Sequence, residues 1–139
     1  NWFSSVIGDE PRERLLFNHK NLRLLGFKNH KFTLKELSNS SICVVCSRWN
    51  EPFGRIALEA SSRGCAVIIT NKGGLKEAAT NPLIINKLND RTLFNAIDKL
   101  ISDTNLRKKL QKKSLKNFYL TNDFISKKID EYREDTIIF

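Results

Sequence analysis

Apolar and polar residues alternate in short blocks along this chain, and the character of the blocks changes near residue 90. Five runs have the look of strands: WFSSVIG (2–8), NLRLLGF (21–27), ICVVCS (42–47), AVIIT (66–70) and PLIIN (82–86). ICVVCS and AVIIT are apolar almost throughout, the pattern of strands buried on both faces of a parallel sheet. A charged segment containing Pro11 follows the first run, and residues 33–40, 54–63 and 74–79 read as helices. From Asp90 onward the period is helical only. Leu93, Ile97, Leu100 and Ile101 recur at helix spacing, as do Leu106, Leu110 and Phe118. A last helix carries Phe124, Ile125, Ile129 and Tyr132 behind an expected cap at Asn122-Asp123. Strands alternating with helices, then a helical tail, predict an α/β doubly wound parallel sheet of Rossmann type in a single domain. There is no internal repeat and no low-complexity linker.

Composition narrows the function classes. A chain of 139 residues with 40% apolar content can bury a core, and no apolar run is long enough to span a bilayer. Methionine is absent and residue 1 is Asn, so the chain reads as a piece of a longer protein. The net charge of +9 is thickest at Arg107, Lys108, Lys109, Lys112, Lys113 and Lys116. On a helix that run covers much of the circumference, which reads as a solvated surface, with attachment to a membrane surface as the second reading. Nucleic acid is not expected as a partner, because aromatic residues are not interleaved with the lysines as stacking platforms. The odd number of cysteines, three, points to a reducing, cytoplasmic setting. Cys43 and Cys46 form a C-x-x-C inside a strand, where positions three apart face opposite ways, so core thiols and no metal site are expected.

In a doubly wound sheet, ligands sit beyond the carboxyl ends of the strands. Two loops there have suitable chemistry: Arg48 to Gly54 after ICVVCS, and Asn71 to Gly74 after AVIIT. A helix beginning near Gly54 would present unpartnered N–H groups and the positive end of its dipole, a site for phosphate. Glu51 precedes that helix and Glu59 lies about one and a half turns into it, roughly 7–8 Å along the axis. Neither carboxylate suits contact with phosphate. Both suit hydroxyl groups, which donate charge-assisted hydrogen bonds to them. Hydroxyls at both ends and a diphosphate in the middle describe a nucleotide-sugar. Solvent-facing glutamates near a helix end are the plainer alternative.

The stretch from Ser47 to Glu77, SRWNEPFGRIALEASSRGCAVIITNKGGLKE, strongly resembles the C-terminal half of the retaining nucleotide-sugar glycosyltransferases of family four, the glycosyl transferases of group 1, which have the GT-B fold. The resemblance is carried by Ser47, Glu51-Pro52-Phe53-Gly54, Leu58-Glu59-Ala60, Gly64 with Val67, and Gly73-Gly74-Leu75 with Glu77. Weaker similarity reaches Val6-Ile7-Gly8, Leu25-Gly26 and the 124–132 segment. It implies that Glu51 stands at the catalytic centre and touches hydroxyls of the transferred hexose. It implies also that Glu59 holds the ribose, that Phe53, Gly54, Arg55 and Ile56 surround the diphosphate, and that Gly73 and Gly74 lie near the donor. The sugar would leave and be replaced on the same face, with the leaving diphosphate taking the acceptor's proton. No cofactor or metal is implied.

Some positions depart from the family pattern. Arg55 stands where an aliphatic residue is usual, and Cys46 and Ala66 stand where proline is common. Trp49 is expected either to pack over a sugar ring or to rest on its own loop. The family's first strand–helix unit supplies an Arg and a Lys for the diphosphate, and a separate N-terminal domain holds the acceptor, a glycan or lipid-linked molecule. The chain is expected to begin after that first unit and so to lack both, and this piece alone is expected to bind donor weakly and transfer nothing. The alternative is a Rossmann-like nucleotide-binding or interaction module without turnover.

Overall fold

The structure, a computed structural model, describes residues 2–8 and 17–137, so the charged segment around Pro11 lies outside the described residues. The chain divides into two compact units, Asn1–Glu36 and Leu37–Phe139.

In the first unit β1 (Ser4–Val6) pairs in parallel with β2 (Leu22–Leu24), Ser4 opposite Leu22 and Val6 opposite Leu24. Both strands are shorter than the apolar runs predict. Pairing nevertheless continues past their ends, through Leu25 N to Val6 O at 2.9 Å and Gly8 N to Gly26 O at 3.0 Å. Arg23 ties the unit together, donating to Ser5 Oγ at 2.8 Å and to Glu36 Oε2 at 2.9 Å. The first helix, α1 (His30–Ser38), starts three residues before the apolar pattern suggests, because Asn29 Oδ1 accepts from Phe32 N at 2.9 Å.

The second unit is built on a parallel sheet in the order β3 (Ile42–Val45), β4 (Ala66–Thr70), β5 (Leu83–Ile85). Its helices are α2 (Arg55–Ser62), α3 (Leu75–Ala78), α4 (Asp90–Ser102), α5 (Thr104–Lys116) and α6 (Asn122–Ile137). Parallel strands alternating with helices confirm the α/β, doubly wound expectation and the helical tail. The central strand β4 is buried along its whole length, as the unbroken apolar run requires. β3 is not: it is an outer strand of this sheet, and Val44 is 42% exposed.

The core forms where Ala66 and Ile68 of β4 meet Ile85 of β5 and Ala96 and Leu100 of α4, with Leu93, Ile97, Leu106 and Leu110 around them. Burying each large aliphatic side chain there contributes about 1.5–3 kcal/mol. Two serines complete the packing where hydrophobic spacing gives no hint. Ser61 of α2 and Ser114 of α5 are both buried, and Ser114 Oγ donates to Ser61 O at 3.5 Å while Ser61 Oγ accepts from Thr80 N at 2.9 Å. Phe118, expected to continue the α5 stripe, lies past the helix end, and Ser114 fills the helical position after Leu110 instead. The cap of α6 also differs from expectation: Thr121 Oγ1 accepts from Phe124 N at 3.2 Å, and Asn122 is already helical.

Candidate functional site

Two glycine-bearing loops, Ser47 to Gly54 and Asn71 to Gly74, leave the carboxyl ends of β3 and β4 side by side. The β ladder pairs Val45 with Ile69, and beyond it Thr70 takes over. Thr70 Oγ1 accepts from Ser47 N and donates to Ser47 O, each at 2.9 Å, in a buried setting.

Further out the loops press backbone on backbone. Gly74 N donates to Glu51 O at 2.8 Å. Gly73 has φ +54°, and a Cβ on it would collide with Glu51 O and come 2.8 Å from Glu51 N. A Cβ on Gly74 would lie 2.5 Å from Pro52 O and 2.9 Å from Phe53 Cα. Both glycines are therefore required by the approach of the Glu51–Phe53 loop itself.

That contact fixes the entry into α2. Gly54 is its N-cap, in the left-handed region at φ 90° and ψ 54°, and no side chain caps the helix. A Cβ on Gly54 would stand 2.5 Å from Leu75 Cδ2, so the side chain of α3's first residue forms the floor beneath the turn. Ala57 N and Leu58 N donate to Gly54 O at 2.9 and 3.2 Å. The amides of Arg55 and Ile56, ahead of them, have no intrahelical acceptor, and no acidic residue occupies the first turn. The helix start thus keeps its positive polarisation.

Glu59 lies on the same helix, and helical side chains lean toward the N-terminus. Its side chain is only 12% exposed, with Oε1 3.6 Å from Nε of Arg55, whose side chain is 78% exposed. Glu51 is half-buried in the loop, Phe53 and Ile56 are partly exposed beside it, and Trp49 is 69% exposed. The structure thus brings Glu51, Phe53, Gly54, Arg55, Ile56, Gly73 and Gly74 together around one helix start, with Glu59 a turn further along. Thr70 belongs to the same arrangement and is not among the site residues the sequence points to, whereas Leu75, part of the Gly73-Gly74-Leu75 pattern, is. The threonine ending an apolar strand beside Ser47 was the available signal.

The thiols are not part of it. Burial raises Cys43 to about 12, with Cys65 and Cys46 nearby adding to the shift, and burial raises Cys65 to about 11. Cys65 Sγ donates to Leu37 O at 3.2 Å. Both hold their protons, as expected of core thiols. β3 ends at Val45, so Cys46 lies just past the strand in which the sequence places it and packs against the core from there. Among the described residues no group of three or more His, Cys, Asp or Glu is placed to hold a metal, and no helix is long and apolar enough to cross a membrane.

The family described as Glycosyl transferases group 1 matches residues 5–117. An uncharacterized glycosyltransferase of Methanocaldococcus jannaschii is 34% identical over 98 residues, 68% of this chain and 25% of that protein. A probable sucrose-phosphate synthase 1 of Oryza sativa is 33% identical over 73 residues, covering 50% of this chain and 7% of the synthase. Among solved structures, Anabaena HepE in complex with UDP-glucose superposes with a TM-score of 0.70 at 21% identity, over 84% of this chain and 33% of that one. The chain therefore spans about a quarter of the archaeal relative and a third of the Anabaena protein.

Proposed function

Because the chain belongs to the glycosyl transferases of group 1, we propose that it is the donor-binding part of a retaining, nucleotide-sugar-dependent hexosyltransferase. The start of α2 supports this most: an uncapped helix entered through a left-handed glycine, with a largely buried carboxylate one turn on. In this reading the amides of Arg55 and Ile56 receive the diphosphate, Glu59 accepts hydrogen bonds from the ribose hydroxyls, and Glu51 accepts them from the sugar. Arg55, exposed at the surface yet within reach of Glu59, adds a cation beside the diphosphate.

Transfer breaks the bond between the anomeric carbon and the diphosphate oxygen and forms one to the acceptor oxygen on the same face. The acceptor's proton goes to the leaving phosphate. Stabilising that phosphate as charge grows on it is the work of the helix start, and orienting the hexose is the work of Glu51. The reading requires no metal. The acceptor, a glycan or a lipid-linked molecule, would be held by the remainder of the protein, with the reaction serving glycan biosynthesis in the cytoplasm or at the inner membrane face.

Calorimetric titration with uridine, guanosine and adenosine diphosphate sugars tests this, with the UDP-sugars first because the Anabaena neighbours are complexes with UDP or UDP-glucose. Weak, saturable binding to one of them, unaffected by a chelator, is expected. No saturable binding to any would refute the reading.

A further inference from the structure

Arg107, Lys108, Lys109, Lys112, Lys113 and Lys116 all lie in α5, which contains no Asp or Glu. As a sequence this run goes around the helix. In the structure Arg107 leaves the set: its Nη1 donates to Leu100 O at 2.6 Å and to Ile101 O at 3.0 Å, closing the carbonyl end of α4. The five lysines that remain fall within roughly 140° of the circumference at about 100° per residue. Leu106, Leu110 and Ser114 hold the opposite side against the core. All five lysines are exposed, and among the described residues none is paired with a carboxylate. Leu115 adjoins the same arc and is 59% exposed. Tyr119, one turn later, is half-exposed with its ring edge-on to Phe124 at 5.2 Å.

We propose that this lysine face of α5, with Leu115 and Tyr119 at its C-terminal end, docks the protein on an anionic bilayer surface. A row of lysine point charges with no intervening carboxylate is attracted by the potential of anionic headgroups, each lysine adding to the attraction. A leucine and a tyrosine beside that row are residues that enter the headgroup boundary, the apolar body inward and the hydroxyl at the water. Nucleic acid fits less well. The arginine that could fork onto a phosphate is turned into the protein, and no aromatic ring stands between the lysines. The face shares no residue with the 47–54 and 71–74 loops or with Glu59, so it stands or falls independently of the donor site.

Sedimentation of the full chain with vesicles tests it. Binding to phosphatidylcholine mixed with phosphatidylglycerol, and little to phosphatidylcholine alone, is expected. Lys108→Glu with Lys112→Glu should lower the partition on the order of tenfold or more, whereas Lys87→Glu with Arg91→Glu, an equal change of charge on exposed residues elsewhere, should lower it far less. Leu115→Ser should weaken vesicle binding and leave retention on immobilised single-stranded RNA unchanged. Circular dichroism and nucleotide titration on each variant separate a folding or donor-site defect from loss of docking. Equal binding to neutral vesicles, equal loss in both charge variants, no effect of Leu115→Ser, or tighter binding to RNA than to the vesicles would each overturn the proposal.

Discussion

Thr70 and Ser47 lock the carboxyl ends of β4 and β3 together, one hydroxyl lying 2.9 Å from both the N–H and the C=O of the same residue. Thr70→Val keeps the shape and leaves both backbone groups of Ser47 buried without a partner. A loss of about 1–3 kcal/mol in urea denaturation is expected, and Thr70→Ser should recover most of it. Ser47→Ala should behave oppositely. The Ser47 hydroxyl is buried and has no hydrogen-bond partner among the described residues, so its removal should change stability by less than about 0.5 kcal/mol. Equal losses for Thr70→Val and Ser47→Ala would contradict this assignment.

The paired glycines carry the next prediction. Gly73→Ala and Gly74→Ala force a methyl group into the backbone of the Glu51–Phe53 loop. Each should lower thermal stability by more than about 1 kcal/mol and also weaken nucleotide binding, because the entry to α2 shifts with the loop. Either variant showing wild-type melting and wild-type binding would show that the loops tolerate separation.

A pH dependence follows from the buried thiols. Cys43 and Cys65 stand at about 12 and about 11 in the folded chain, above the ordinary 9.0. A native thiol that holds its proton longer than the unfolded one contributes stability that is whole below pH 9.0 and declines as pH rises toward those values. Denaturation midpoints measured at about pH 8 and about pH 10 should therefore differ, with the more alkaline sample weaker. Cys43→Ala should reduce that difference, which separates the thiol from lysine and tyrosine titration. The native chain should also resist alkylation at Cys43 and Cys65 until it unfolds.

Arg55 and Glu59 give a fourth. With Nε and Oε1 at 3.6 Å and Arg55 largely exposed, the pair contributes at most about 1 kcal/mol to stability. Arg55→Ala should accordingly melt close to wild type while lowering nucleoside diphosphate affinity several-fold. Unchanged affinity would remove the guanidinium from the proposed site.

Much of this was legible in the chain because apolar periodicity reports burial. AVIIT is buried along its length, and Leu93, Ile97 and Leu100 pack where their spacing predicts. The helix start at Gly54 and the neighbourhood of Glu51 and Gly73-Gly74 were legible for a different reason, since a glycine pattern at fixed spacing reflects backbone geometry. What escaped was carried by polar residues used for packing and turning. Ser61 and Ser114 occupy a close helix contact, Thr121 replaces Asn122 as a cap, and Arg107 turns inward and converts an encircling charge run into one face. Val44 shows the reverse: an apolar run does not reveal which strand lies at the edge of a sheet.

The most direct measurement is the amide spectrum of the isotopically labelled chain titrated with UDP and, separately, with uridine. The diphosphate should move the Gly54, Arg55 and Ile56 amides in a saturable way, and uridine, which lacks the phosphates, should leave them largely in place. If UDP leaves those three amides unmoved, or moves only those of the α5 lysine face, the helix start does not receive the diphosphate.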